Sequence, residues 1–192
     1  MMVYKIGLCY GDAIGPEITK ATEVVMKAAV KKVGVEVEWP VYPMGWEGIE
    51  KYGDPVPQVT KDGLATCHGW VFAPHDSAAY PEEQFRKLNP SGEMRHYFDL
   101  YANKRPAQVY PGEARKKSHV GDDVDIVVYR ENTEGFLPDR NMFKGYGEVM
   151  PNPDMVLSTS VITRQGTERV AREAFKTAMK RKKHLTIVHK AN

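Results

Sequence analysis

The sequence has few of the features that mark secreted, membrane and nucleic-acid-binding proteins. Its 192 residues include only two cysteines, Cys9 and Cys67, too few for a disulfide framework and typical of buried, reduced thiols. It shows no membrane-spanning apolar run and no signal-peptide pattern, since Lys5 interrupts the apolar first residues. The net charge of +2 is too small to argue for nucleic acid. We therefore expect a soluble, cytoplasmic protein without nucleic-acid or membrane partners.

The pattern that is present is that of an α/β protein. A hydrophobic fraction of 42% supports a sizeable core, in one domain or in parts of two. Val3 to Tyr10 predicts a buried strand, Gly11 to Glu17 a turn, and apolar residues at helical spacing a helix to about Lys32. Gly34 ends this helix, and Val35 to Trp39 alternates as a second strand. Such a strand–helix–strand unit is the building block of a parallel sheet.

The later elements alternate less regularly. Residues 138–153 are rich in Gly, Pro and Asn and are predicted to be an irregular functional segment or an interface arm. The chain stops at Asn192 directly after a predicted strand, so we expect it to be truncated or incomplete. The further predictions are strands at 70–73, 124–129, 156–163 and 185–189, and an amphipathic helix at 170–179.

Three arginines are the most informative residues. Arg95 and Arg105 are ten residues apart, and Arg130 follows at the end of a hydrophobic strand. Any one of them alone is best interpreted as a solvated surface cation. Three guanidiniums held by ordered elements would instead suit a small di- or tricarboxylate, because each planar fork matches a carboxylate.

Two other segments carry candidate ligand groups. The Gly11 to Glu17 turn lies between a strand and a helix, where backbone N–H groups attract anions, although its glycine spacing is not the dinucleotide fingerprint and a tight turn is the simpler interpretation. Lys190 ends the last predicted strand, where a lysine with a lowered pKa can act as a general base, although a lone lysine near a chain end is normally a solvated cation. Asn192 would face the same side. The six histidines show no metal spacing.

Four motifs in order resemble the isocitrate/isopropylmalate dehydrogenase family. They are Gly11–Glu17, Asp99–Pro106, Arg130–Gly135 and His189–Asn192. The family consists of metal- and NAD(P)-dependent oxidative decarboxylases of 2-hydroxy acids. The resemblance implies an α/β fold with a parallel or mixed sheet in a large domain and a smaller α/β dimerisation domain, both incomplete here. Residues 1–99 would belong to the large domain and residues 100–192 to the small one, with an arm at 138–158.

The resemblance also implies roles for individual residues. Lys190 would relay the hydroxyl proton, usually in the site of the neighbouring subunit, so a homodimer with a shared active site is expected. The substrate carboxylates would be held by Arg95, Arg105 and Arg130. Asn89 and Ser91 would face the distal substituent, and Ile14, Pro74 and Asn192 would contact the NAD or NADP cofactor.

Two departures from the family pattern limit these implications. The family carries a tyrosine seven residues after the arginine of the Arg130–Gly135 motif, where it protonates the enol left by decarboxylation, whereas Leu137 has no proton to give. The aspartates that bind Mg²⁺ or Mn²⁺ and the adenosine-binding segment come later in such chains than Asn192. We therefore expect no metal ligands in this chain and no activity from it alone.

The predicted function is oxidative decarboxylation of a malate-type 2-hydroxy acid, such as isopropylmalate, isocitrate, homoisocitrate or a tartrate-like acid. The alternative is a non-catalytic or regulatory relative that binds a di- or tricarboxylate and dimerises, which Leu137 favours. An unrelated α/β binding module would require four ordered motif matches by coincidence.

Overall fold

The computed structural model describes residues 2–81, 89–109, 124–135 and 147–189. The chain divides into two compact units, Met1–Met94 and Arg95–Asn192. The assignment of residues 1–99 and 100–192 to the two domains of the complete family fold remains a prediction. Within the described ranges, no helix is long and apolar enough to cross a membrane.

A parallel sheet organises the first unit. Its strands are β1 (Val3–Cys9), β2 (Glu36–Glu38) and β3 (Gly69–Phe72), in the order β2-β1-β3. Helix α1 (Gly15–Val33) connects β1 to β2, so the predicted strand–helix–strand unit is confirmed. It ends at Gly34, whose φ of 70° is the left-handed conformation that glycine adopts without steric cost.

Short helices complete the first unit and pack its core. They are α2 (Trp46–Tyr52) and α3 (Gln58–Ala65), with a 3₁₀ turn at Ser77–Ala79. Helix α4 (Pro90–Tyr97) begins in the first unit and ends in the second. The fully buried side chains include Leu8, Met44, Val56, Leu64 and Met94. Both cysteines are free, as expected. Cys9 is buried, and its burial raises the pKa of the thiol to about 12, whereas Cys67 is half-buried.

The second unit is built on an antiparallel ribbon. β4 (Ala102–Gln108) pairs with β5 (Asp125–Glu131), from Ala102 opposite Glu131 to Gln108 opposite Asp125. Helix α5 (Arg164–Met179) packs on one side of the ribbon, where the hydroxyls of Tyr129 and Thr177 are 2.6 Å apart. Side chains alternate along a strand, so α5 leaves the opposite face uncovered by the described residues. We call this open surface the arginine face, and it comprises Asn103, Arg105, Ala107, Ile126, Val128 and Arg130.

A hairpin replaces part of the predicted irregular segment. β6 (Glu148–Asn152) pairs antiparallel with β7 (Met155–Ser158), so the prediction of irregular structure up to residue 153 is wrong for residues 148–152. The segment forms a strand because the turn at Asn152–Asp154 lets β6 fold back and pair with β7. In this turn the Asp154 N–H donates to the Asn152 side chain, and Gly147, with a φ of 71°, precedes β6. The strand predicted at 156–163 is shorter than expected, since only a single bridge, Gly135 to Val161, follows β7.

Residues 185–189 form no strand, which corrects another prediction. Ile187 and Val188 are 76% and 88% exposed, so this apolar run is not buried within the described residues. A strand exists only through its ladder partners, and the periodicity of a sequence cannot supply them.

Candidate functional site

Arg95 lies in the last turn of α4 and is half-buried. The helix is closed by a hydrogen bond of 2.9 Å from the Leu100 N–H to the Arg95 carbonyl oxygen. The chain turns at Asp99, which has a φ of 48°, a left-handed value that few residues with a side chain adopt and that aspartate adopts more often than most. The conformation of Asp99 therefore fixes the direction in which the chain leaves the helix that carries Arg95.

Arg105 and Arg130 lie on the same face of the β4–β5 ribbon. Arg105 is opposite Val128 and Arg130 is opposite Asn103, so the two arginines are diagonal neighbours, roughly 7–8 Å apart in such a ladder. Both are exposed, and the Arg105 Nε donates to the Asn103 side-chain oxygen at 3.0 Å. Ile126 is 52% exposed, so the same face is also apolar. The register thus places two guanidinium forks where one small dianion can meet both.

The segment after Arg130 closes the ribbon onto the α4–β4 loop. Asn132 is only 4% exposed, and its side-chain amide donates to the Leu100 carbonyl at 3.0 Å. Its backbone N–H donates to the Tyr101 carbonyl at 3.1 Å. A buried amide with these bonds is costly to replace, because each lost partner leaves a polar group unpaired. Asn132 therefore joins the end of β5 to the beginning of β4.

Glu131 and Glu134 serve as caps for backbone N–H groups. Glu131 accepts from the Thr133 N–H and hydroxyl and from the Glu134 N–H, at 2.6–3.0 Å. Burial by itself raises the pKa of Glu131, but these hydrogen bonds outweigh it and hold the pKa below its usual value. Glu134 accepts from the N–H and hydroxyl of Thr163, the cap of α5. Within the described residues, the hydrogen bonds that both glutamates accept come from backbone amides and hydroxyls.

Arg169 of α5 is the contact that the sequence did not predict. Its Nη1 lies 2.8 Å from both carboxylate oxygens of Asp99, and its Nη2 donates to the Thr133 hydroxyl at 2.8 Å. Its guanidinium also lies 4.7 Å from the centre of the Tyr101 ring. The sequence contained one indication of this contact, because Arg169 directly precedes Val170, the first residue of the predicted apolar helix face. A cation next to the face that packs on the ribbon is placed to meet an acidic or polar side chain there.

In the first unit, the Gly11–Glu17 turn is held against the loop after β3. The Asp12 N–H donates to the Pro74 carbonyl at 2.9 Å, and the Gly15 N–H donates to the Asp12 carbonyl at 2.7 Å. A Cβ on Gly11 would lie 2.1 Å from the Pro74 oxygen, so no larger residue fits this close approach. The two loops meet at the carboxyl ends of β1 and β3, where open α/β sheets bind their ligands.

A buried carboxylate joins these loops to a third segment. Asp12 is 5% exposed and accepts from the Trp46 N–H at 2.8 Å and from the Tyr80 hydroxyl at 2.5 Å. Burial raises the pKa of Tyr80, and the hydrogen bond to Asp12 raises it further. Gly45 lies against the same carboxylate, since a Cβ there would meet Asp12 Oδ1 at 2.3 Å. Nothing in the spacing of these residues indicated the cluster, which brings together residues up to 68 positions apart.

The other predicted site residues lie at loops and helix ends, or outside the described residues. Ile14 is 62% exposed directly before α1, and Pro74 is exposed in the loop that bonds Asp12. Asn89 precedes α4 and accepts from the Gly92 N–H at 2.8 Å, while Ser91 is half-buried in the first turn. Three predicted positions lie outside the described residues, namely Leu137, Lys190 and Asn192.

The described residues do not form a metal site. No group of three or more His, Cys, Asp or Glu side chains in these ranges is arranged to hold an ion. The acidic side chains at the two candidate regions, Asp12, Glu131 and Glu134, are already occupied by N–H and O–H donors. A divalent metal therefore does not fit the donors present in these residues.

Comparison with known proteins identifies the family. The sequence model of isocitrate/isopropylmalate dehydrogenase matches residues 5–192. The chain belongs to this family. It is 32% identical over 197 residues to the 3-isopropylmalate dehydrogenase of Bacteroides fragilis, with 100% of this chain and 54% of that protein covered. It is 33% identical to the isocitrate/homoisocitrate dehydrogenase of Thermus thermophilus, with 100% and 52% covered.

The fold agrees with the family assignment. The crystal structure of isocitrate dehydrogenase from Methylococcus capsulatus superposes with a TM-score of 0.73 and 31% identity, covering 92% of this chain and 48% of that one. The predicted α/β fold of the isocitrate/isopropylmalate dehydrogenase type is therefore confirmed. The chain spans about half the length of the curated relatives it matches.

Proposed function

We propose that this family member supplies the carboxylate-binding half of an NAD(P)-dependent, decarboxylating dehydrogenase of a malate-type 2-hydroxy acid. The observation that carries the proposal is the shared face of Arg105 and Arg130. Two adjacent guanidiniums favour a dianion over a monoanion, because each carboxylate meets its own fork. Arg95, in the same unit, is the proposed third contact. The relatives' names, 3-isopropylmalate and isocitrate/homoisocitrate dehydrogenase, agree with a di- or tricarboxylate.

The cofactor proposal rests on the two loops that meet at Asp12 and Pro74. Exposed Ile14 offers an apolar contact for a base or nicotinamide, and the loops stand at the ligand-binding edge of the parallel sheet. NAD or NADP would supply the hydride acceptor. The Asp12 hydrogen bonds would keep both loops in place around it. Lys190 remains the proposed proton relay and Asn192 the proposed ribose contact.

No step is assigned to a metal, because the described residues provide no donor set for one. Mg²⁺ or Mn²⁺ remains the expected ion of the family, with ligands outside this chain. We accordingly propose that the 192-residue chain does not turn over by itself. A steady-state assay with NAD⁺, Mn²⁺ and 3-isopropylmalate or isocitrate tests this, and turnover at a rate typical of dehydrogenases would contradict it.

The binding proposal is tested by calorimetric titration of the chain with 3-isopropylmalate, isocitrate and malate. Arg105→Met should weaken binding about tenfold or more, since one charge-assisted pair is lost. The matched control is Arg164→Met, because Arg164 is 89% exposed in the first turn of α5 and outside the arginine face. Equal affinities in the two variants, or no binding by the unchanged chain, would refute the proposal.

A homodimer is proposed as well, with the β6–β7 hairpin as part of its interface. Four apolar side chains on this hairpin are 57–62% exposed, namely Val149, Met150, Val156 and Leu157. Such apolar exposure is typical of an interaction surface. Sedimentation velocity of the chain should give a dimer, and Leu157→Lys should shift it toward monomer. A monomeric unchanged chain would contradict this proposal. A cytoplasmic location also remains a proposal.

The second candidate function is a non-catalytic relative that binds the carboxylates and dimerises. Leu137 favours it, because leucine cannot protonate an enol. The two candidates differ in the response to Leu137→Tyr in a chain extended to the relatives' full length. A large gain in CO₂ release would support a weakened enzyme, and no gain would support a binding role.

A further inference from the structure

We propose that Arg169 is a positioning residue that holds the arginine-bearing segments of the second unit in the arrangement that selects a dicarboxylate. The inference rests on the substrate class proposed above. Arg169 acts through the segments that it contacts and not by touching the substrate. Its role follows from three contacts, each of which fixes a segment that carries one of the three arginines.

The first contact fixes the exit from α4. Both terminal oxygens of Asp99 lie 2.8 Å from the Nη1 of Arg169. Asp99 adopts a φ of 48°, in the left-handed region that aspartate enters more readily than most residues but less readily than glycine. The ion pair holds Asp99 in this conformation. Because the Leu100 N–H closes the helix on the Arg95 carbonyl, the turn at Asp99 also sets the end of the helix on which Arg95 stands.

The second contact fixes the end of β5. The Nη2 of Arg169 donates to the Thr133 hydroxyl at 2.8 Å, and this hydroxyl donates to Glu131 at 2.6 Å. Glu131 adjoins Arg130 in the strand. The chain of hydrogen bonds therefore runs from α5 to the residue beside Arg130, and the Thr133 hydroxyl acts in it as both acceptor and donor.

The third contact fixes the start of β4. The Arg169 guanidinium lies 4.7 Å from the Tyr101 ring, a geometry that favours cation–π attraction. Tyr101 immediately precedes β4, the strand that carries Arg105, and its carbonyl accepts from the Asn132 N–H. One guanidinium thus contacts the residues just before β4 and just after β5 at the same end of the ribbon.

The chemistry requires an arginine at this position. Its planar group meets an acid, a hydroxyl and a ring in three directions, which a lysine ammonium on a flexible stem does not reproduce. The Nε of Arg169 is buried and has no acceptor among the described residues. Leaving a buried donor unpaired costs free energy. Arg169 contacts Asp99 and Thr133 through its two terminal nitrogens, and the unpaired Nε is the cost of that orientation.

A merely stabilising role would lower the stability of the unit without changing which anion it prefers. A positioning role predicts a loss of selectivity instead. Malate and lactate differ by one carboxylate, so the ratio of their dissociation constants reports whether two or more guanidiniums act together. This ratio is insensitive to a uniform loss of folded protein.

The test is an NMR titration of the chain with malate and with lactate in Arg169→Met, Arg169→Lys and the control Arg172→Met. Arg172 is on the same helix and is 74% exposed, with only a 3.9 Å contact to Glu168. Arg169→Met should weaken malate binding about tenfold and change lactate binding less than about twofold. The control should change neither. Recovery of malate binding by Arg169→Lys would overturn the proposal, because charge alone would then suffice.

Amide hydrogen exchange without ligand separates this inference from the proposed function. The Leu100 and Asn132 amides should exchange faster in Arg169→Met and unchanged in Arg172→Met. If the unchanged chain binds no malate, the proposed function fails, and the exchange rates still decide whether Arg169 organises these segments. Unchanged rates refute the inference. If Arg169→Met does not fold, Asp99→Asn replaces it, since it keeps the side-chain shape and weakens only the ion pair.

Discussion

The hydroxyl of Tyr80 donates a 2.5 Å hydrogen bond to the carboxylate of Asp12, and both side chains are 5% exposed. Asp12 belongs to the turn after β1, and Tyr80 follows the loop after β3. This bond therefore ties together the two loops at the carboxyl ends of β1 and β3, the edge at which open α/β sheets bind ligands. The Trp46 ring packs edge-on against Tyr80, with the ring centres 5.6 Å apart, so an indole reports directly on the pair.

Removing this hydroxyl should destabilise the first unit. Tyr80→Phe leaves a buried carboxylate short of one donor, which costs about 1–3 kcal/mol of unfolding free energy. Tyr10→Phe is the matched control, since it removes a similar 2.6 Å bond to Glu23 at the edge of α1. Trp39, Trp46 and Trp70 all lie in this unit, so tryptophan fluorescence during urea unfolding measures both variants. Equal losses of unfolding free energy in Tyr80→Phe and Tyr10→Phe would show that burial of the Asp12–Tyr80 pair adds nothing to stability.

The same bond predicts a decline in stability at high pH. Burial and Asp12 raise the pKa of Tyr80 above the value of about 10 for an unfolded tyrosine. A raised pKa means that the folded form keeps its proton longer, so the associated stability is complete below about pH 10 and is lost as pH rises further. Urea midpoints between pH 8 and 11 should fall less steeply in Tyr80→Phe than in the unchanged chain. Parallel curves would rule out the contribution of Tyr80.

Two glycines provide a test of the close approach at Asp12. Gly45 and Gly34 share a φ of 70°, but ψ is −134° at Gly45 and 31° at Gly34. A Cβ on Gly45 would lie 2.3 Å from Asp12 Oδ1, whereas nothing lies within 4 Å of one on Gly34. Gly34→Ala should cost about 1–2 kcal/mol, the cost of a left-handed alanine. Gly45→Ala should cost distinctly more, because its backbone lies outside the left-handed helical region and the carboxylate must also move. Thermal unfolding of both variants measures the difference, and equal costs would contradict this close approach.

Glu131 predicts an acid-dependent stability in the second unit. Its hydrogen bonds outweigh burial and lower its pKa, so the stabilisation is present above the unfolded value of about 4.3 and is lost as pH falls through the folded pKa. Glu131→Gln should lower the unfolding free energy by about 1–3 kcal/mol at pH 7 and flatten this acid dependence. Far-UV circular dichroism follows the loss of helix, including that of α5, during unfolding. Glu173→Gln, a surface partner of Lys176 on α5, serves as the control and should have the smaller effect.

The sequence predicted the elements that carry their own periodic signal. The first strand, α1 and the apolar β5 were found because each buries one regular set of side chains. β4 was missed because Ala102–Gln108 has no apolar alternation and contains Pro106, and it is a strand only through its pairing with β5. The short helix α2 was missed because it spans only seven residues between two glycines.

The parts of the candidate site that lie in recognisable sequence motifs could be predicted from the sequence. The three arginines and the Gly11 turn stand in recognisable segments, although their roles remain proposals. Asp12–Tyr80 and Arg169–Asp99 could not be found in this way, since each pair is 68 or 70 residues apart and depends on the packing of separate elements. Periodicity reports which side chains are buried, but it does not report which partner a buried charge will meet.

The pairing of Ala102 with Glu131 has a consequence for how sequence length can vary in relatives. Strand side chains alternate, so an insertion or deletion of one residue within β4 or β5 would preserve much of the hydrogen-bond ladder and yet turn Arg105 or Arg130 to the opposite side. Length changes that spare carboxylate binding should therefore fall outside these two strands. The spacing inside each strand is as much a part of the proposed anion site as the arginines themselves.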